Sequence, residues 1–204
     1  MEGLLRLSRA IDALSRRTGV IANWFVLLAA LVCAFDALLR YSLSSVVWLD
    51  RMLSSGGGGR LGWLIDIYRE NSNSLRDLQL VLFAGMVMLG ASWTLKVNEH
   101  VRVDLFYGSV SDRRRIWIDL TGAIFFLMPM CALLIYFSWP WFLESWTGNE
   151  LSQNAGGMPR WPAKLFLPLG FALLMLQGVS EIIKCVAALS TSYRREHGYE
   201  KPVQ

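Results

Sequence analysis

The chain has 204 residues, of which 54 % are hydrophobic and only 18 % charged, with a mean hydropathy of +0.38 and a net charge of +4. A soluble domain carries about a quarter charged residues, so the soluble globular class is excluded. The bases are spread between apolar stretches rather than gathered on one face, which excludes a nucleic-acid binder.

Residues 1–17 place Leu4, Leu7, Ile11 and Leu14 at helical spacing among Arg6, Arg9, Arg16 and Arg17. The pattern predicts a short basic amphipathic helix lying in the headgroup region. An uncharged run follows from Thr18 to Phe35, and apolar character continues, giving a first span over 18–43. A basic start before an apolar run also describes a cleaved signal. Here, however, the run is longer than a signal's apolar region, and Asp36 and Arg40 stand where small cleavage-site residues belong. The span is therefore expected to be retained.

Residues 44–77 form the longest connection, expected as a periplasmic insertion with a surface helix over Leu61–Glu70. Its glycine run, Gly56–Gly59, lacks the Lys-Ser/Thr ending of a phosphate loop and reads as a linker. The second span is predicted over 78–97, and Leu78–Leu95 within it is uncharged. A hydrocarbon core of about 30 Å needs about 20 helical residues. The span runs directly into a polar patch, Lys96, Asn98, Glu99, His100, Arg102 and Asp104, and then into Arg113, Arg114 and Arg115. A third span is predicted over 116–143 with a kink at Pro129, then a Gly- and Pro-containing connection over 144–162. The fourth span is predicted over 163–189, and residues 191–204 form a polar tail. The fold class is thus an all-α membrane protein: a four-helix transmembrane domain over 18–190 plus interfacial amphipathic helices.

Four spans return both termini to one side. That side, with the connection between spans two and three, holds 13 of the 20 lysines and arginines, against 7 on the other. The charge bias puts both termini in the cytoplasm. Tryptophans give two belts, with Trp24, Trp93 and Trp117 at inner ends and Trp48, Trp139, Trp141, Trp146 and Trp161 at outer ends.

Candidate polar sites are few. Asp36 and Arg40 stand four apart with the acid first, a favourable order for pairing. A charge in a span is costly, so the pair is either structural or a contact to another subunit. Gln177, Glu181 and Lys184 share a helix face near the inner end of the fourth span, and Arg115 is spaced to pair with Asp119. His100, Arg102 and Asp104, with Glu99 beside them, form either a polar knot at the membrane surface or a solvated face. Both histidines lie outside the spans, so no facing pair is available for haem. Metal-hydrolase spacing, paired mid-membrane acids and a serine–base arrangement are absent, so neither an enzyme nor a cofactor is expected. Cys33, Cys131 and Cys185 lie in apolar runs and read as small hydrophobes. Ala84, Gly85, Gly90, Ala91 and Ser92 make the second span suited to close helix packing, against its own chain or a partner.

The run GASWTLKVNEHVRVDLFYGSVSDRRRIWIDLTG (Gly90–Gly122), with LMPMCALLIYFSWPW, NELSQNAGGMPRWPAK and LFLPLGFALLMLQG, resembles the small membrane (Q, DctQ-like) subunit of tripartite ATP-independent periplasmic (TRAP) transporters. The likeness extends over about Thr18–Lys184 and is nearest the long form associated with 2-oxo acid, chloroaromatic or mannitol-type systems. The common form has a short first connection and a Trp-Glu-Glu-like lead-in to span two. Here the long insertion and LRDLQ (Leu75–Gln79) stand instead. The resemblance implies a non-catalytic inner-membrane scaffold that binds the large membrane (M) subunit. In such systems the M subunit carries substrate and sodium, and a periplasmic solute-binding protein delivers the organic acid. No transport residue of the family maps onto this chain. Its expected partners are then the M subunit, the binding protein and membrane lipids. The alternative reading is a self-sufficient small transporter or channel using Asp36.

Overall fold

In lipid each backbone N–H and C=O must be bonded within its own segment, so long apolar runs close into helices. The computed structural model describes residues 2–53, 62–98, 110–154 and 156–190, and its four long helices are each apolar enough to cross a membrane. They are α1 (Glu2–Leu53), α2 (Gly62–Val97), α3 (Asp112–Thr147) and α4 (Trp161–Ser190). Among the described residues the β pairing is confined to an isolated bridge between Leu151 and Pro159 in the α3–α4 loop.

Two expectations change at the level of elements. The segment 1–17 is not a separate helix; it is the first part of an uninterrupted 52-residue α1. On this part of α1, Leu4, Leu7 and Leu14 are exposed, whereas Ser8, Ile11 and Ser15 are buried. The insertion over 44–77 is mostly helix as well, because α1 continues to Leu53 and α2 begins at Gly62, absorbing the expected surface helix. The glycine run, residues 99–109 and the tail 191–204 lie outside the described residues.

α3 contains a π-turn over Ala123–Leu127, where the Met128 N–H donates to the Ala123 carbonyl five residues back. Pro129 follows directly. It has no N–H to donate, and its ring would crowd the carbonyl of Phe125 in a regular helix. A widened turn just before it relieves that crowding, so the irregularity expected at Pro129 takes the form of a π-turn.

α1 packs antiparallel on α2, both pack on α4, and α3 packs chiefly on α4. The centre is small: Ala22, Leu89 and Leu173, flanked by Phe25 and Phe166, whose rings meet edge to face at 5.8 Å. Close approach is set by glycines facing large side chains. A Cβ on Gly85 would lie 2.3 Å from Phe25, and one on Gly170 would lie 2.6 Å from the Met88 Cβ. At Gly90 the nearest atom is the Ala22 Cβ at 3.7 Å, so that position has room. The small residues of the second span therefore serve packing within the chain.

Polarity is turned inside out. The most deeply buried side chains include Gln177, Ser8, Ser15, Ser92 and Ser180, while Phe126 (77 %), Tyr41 (76 %), Tyr136 (71 %) and Leu38 (70 %) are exposed. Apolar surface costs nothing against lipid tails, whereas polar groups gain by finding one another.

Candidate functional site

The largest polar constellation joins α1 to α4 near the α1 N-terminus. Ser8, Asp12 and Ser15 are spaced four and three apart, which puts them on one face of α1. Opposite them stand Gln177, Ser180, Glu181 and Lys184, again at i, i+3, i+4 and i+7. The Lys184 ammonium donates to Asp12 Oδ1 at 3.0 Å and Glu181 Oε1 at 2.8 Å, and lies 2.9 Å from Asp12 Oδ2. Gln177 Nε2 donates to Asp12 Oδ1 and to Glu181 Oε1, each at 3.0 Å, and its Oε1 accepts from the Ser15 hydroxyl at 2.7 Å. Ser180 donates to Asp12 at 2.8 Å and is 2.7 Å from the Ser8 hydroxyl. Through Thr18, whose hydroxyl lies 3.3 Å from that of Ser92, the chain of contacts reaches α2.

Gln177, Glu181 and Lys184 therefore do share a face, as their spacing predicts, but Asp12 is the residue that unites them. The sequence reading passed over Asp12, Ser8 and Ser15 because it followed the leucines of 1–17. The available signal was the polar periodicity on the other side of the same helix.

A second cluster ties α1 to α2 toward their other ends. Asp36 is 7 % exposed, and its Oδ2 accepts from Arg40 at 3.1 Å while Oδ1 accepts from the Tyr68 hydroxyl at 3.2 Å. The Asp36–Arg40 pair is present as its spacing requires, and Tyr68 is the partner that sequence alone did not supply. Arg115 donates to Asp112 at 2.9 Å, three residues earlier.

The third cluster holds the α3–α4 loop. Glu150 pairs with Lys164 and, at 3.6 Å, with Arg160, and the hydrogen bond from Lys164 holds its carboxyl below the usual range. Lys164 also lies 4.4 Å over the Trp141 ring, and Trp161 meets Trp146 edge to face at 4.4 Å. The loop then docks on α2. Asp77 Oδ2 accepts from the Met158 N–H at 3.0 Å, and Ser74 donates to the Gly156 carbonyl. Gly156 has φ +70°, and a Cβ there would lie 2.6 Å from the Glu70 carbonyl. Glu99, His100, Arg102 and Asp104, the expected polar knot, lie outside the described residues.

Every one of these clusters links helix to helix or loop to helix, with the carboxylates engaged by cations and donors of the same chain. Among the described residues no group of three or more His, Cys, Asp or Glu is placed to hold a metal, and none of the three cysteines is in a disulfide. The fold and its clusters thus define a multi-pass, all-helical membrane protein whose buried polar clusters join its own elements. Residues 70–188 match the family model of the tripartite ATP-independent periplasmic transporters, DctQ component, and the chain belongs to that family. It is therefore a small membrane component of a TRAP transporter, resident in the inner membrane. No curated protein and no solved structure matches it.

Proposed function

We propose that this chain is the scaffold subunit of a sodium-coupled importer of organic acids. In this reading it braces the large M subunit, which moves the substrate, while a periplasmic binding protein delivers it. Both termini face the cytoplasm. The observation that carries the reading is the inner network. Asp12, Gln177, Ser180, Glu181 and Lys184 bond to one another across α1 and α4, which stiffens the bundle and leaves those groups committed. A stiff wall is what a moving partner needs to slide against, and the family's tripartite organisation supplies such a partner. The outer loop and the α1–α2 hairpin are the surfaces offered to the periplasmic protein.

The alternative, a self-sufficient carrier using Asp36, has no observation in its favour, since both oxygens of that carboxylate already accept hydrogen bonds. The deciding experiment is co-expression with the large membrane subunit and uptake assays in cells. The expected result is co-purification after detergent extraction, uptake that needs this chain, and uptake unchanged by Asp36→Asn. Recovery of this chain as a lone monomer, with uptake intact in its absence, refutes the scaffold reading.

A further inference from the structure

The first half of α1 presents two faces. One, carrying Ser8, Asp12 and Ser15, is turned onto α4. The other is apolar and open along Val20 (53 % exposed), Trp24 (60 %), Leu27 (48 %) and Leu31 (56 %). Toward the N-terminus the same open face changes to arginine. Arg6, Arg9, Arg16 and Arg17 are all exposed. At about 100° per residue, Arg9, Arg16, Val20, Leu27 and Leu31 fall within about 60° of one another. Because α1 is a single helix held upright against α4, the change marks a level rather than a bend in the chain. Among the described residues none of these four arginines has a carboxylate within ion-pair distance, and Arg9 Nε donates to the Leu5 carbonyl at 3.4 Å.

α3 repeats the arrangement at the same end of α4. Exposed Arg113 and Arg114 precede Trp117 (53 % exposed) and Ile118 (48 %), and the open apolar surface continues through Phe125 and Phe126. On α1 and α3 the opposite end differs, although exposed Arg76 of α2 also stands there. Exposed Trp139, Trp141 and Trp146 of α3 are accompanied by Glu144 and by no arginine, and on α1 Arg40 is already held by Asp36. Arginine lays its stem on apolar surface and carries its head outward, and its planar fork matches phosphate oxygens two at a time.

We propose that the arginine-tipped open face of α1, with Arg113 and Arg114 of α3 at the same end, is a binding surface for the headgroups of anionic phospholipids in the leaflet on that side. The proposal rests on the helices crossing a bilayer and not on the subunit role, so either can fail without the other.

The full chain is purified in mixed micelles with equal phosphatidylglycerol and phosphatidylcholine, and retained lipids are counted by native mass spectrometry. The expected result is an excess of phosphatidylglycerol that declines with salt. It weakens about fivefold for each guanidinium removed in the series R6Q, R9Q, R16Q and R17Q. Arg40→Gln leaves it unchanged. Equal retention of both lipids, or an excess that survives all four substitutions, overturns the proposal. So does a quadruple variant that keeps its lipid but loses a co-expressed membrane subunit, because the arginines then serve a protein. Should the quadruple variant fail to fold, the pairs R6Q/R9Q and R113Q/R114Q are measured separately, and retention of the full excess in both is equally fatal.

Discussion

Asp12 accepts hydrogen bonds from Lys184, Gln177 and Ser180, so its removal takes one acceptor from each of three donors, which keep Glu181 or Ser8 as remaining partners. Losing one partner of a buried ion pair is destabilising, and here Lys184 would keep Glu181 as its remaining counter-charge. Asp12→Ala is expected to cost about 2–4 kcal/mol in detergent unfolding. Gln177→Leu, which leaves the Ser15 hydroxyl and the Asp12 carboxylate each one partner short, should cost about 1–3 kcal/mol. A double-mutant cycle over Asp12 and Lys184 measures the coupling directly, and a coupling near zero removes the network from the stability argument. Arg40→Gln serves as the contrast. The Arg40 side chain is 48 % exposed, so solvent screens its pair with Asp36, and its loss should lower stability less than the loss of Asp12.

Between helices the limiting quantity is distance. Gly85→Ala must push Phe25 aside, since the added carbon would sit 2.3 Å from that ring, and about 1–3 kcal/mol of lost stability follows. Gly90→Ala meets only the Ala22 methyl at 3.7 Å and should be close to neutral. Equal melting temperatures for the two variants would mean that α1 and α2 do not pack at this separation. At the α3–α4 loop the relevant force is charge. The Glu150 carboxyl is held below its ordinary range by Lys164, so the contact contributes fully above the ordinary carboxylate range and is lost as pH falls through the lowered value. Hydrogen exchange of the Arg160 amide, which donates to the Glu150 carbonyl at 2.9 Å, should therefore report loop opening only in acid. Because Glu150 is open to solvent, global unfolding is not expected to follow.

For the whole molecule, length sets the question. The 52 residues of α1 extend about 78 Å, against about 45 Å for the 30 residues of α4 and a hydrocarbon core of about 30 Å. The α1–α2 hairpin therefore outlasts the other two helices at its closed end, where Tyr68 reaches Asp36 and the α3–α4 loop rests on Glu70, Ser74 and Asp77. In a Cys33→Ser background, an impermeant thiol reagent on intact cells should label Ser45→Cys and leave Gly3→Cys unlabelled. The reverse pattern would overturn the proposed orientation.

Four apolar runs, their order, the shared face of Gln177, Glu181 and Lys184 and the Asp36–Arg40 pair were all legible in the chain, because each depends on a helical period or a spacing of a few residues. The family likeness was equally legible, and residues 70–188 bear it out. What lay beyond the sequence was partnership across distance. Ser8 meets Ser180 and Asp12 meets Lys184 over 172 residues, and Asp77 caps a loop 81 residues away. The segment 1–17 misled for a related reason: its leucine stripe suits a membrane surface just as well as the outside of a bundle. Hydropathy decides which residues meet lipid, but only packing decides which helix a polar face will turn toward, since that choice depends on where the other polar faces have come to stand.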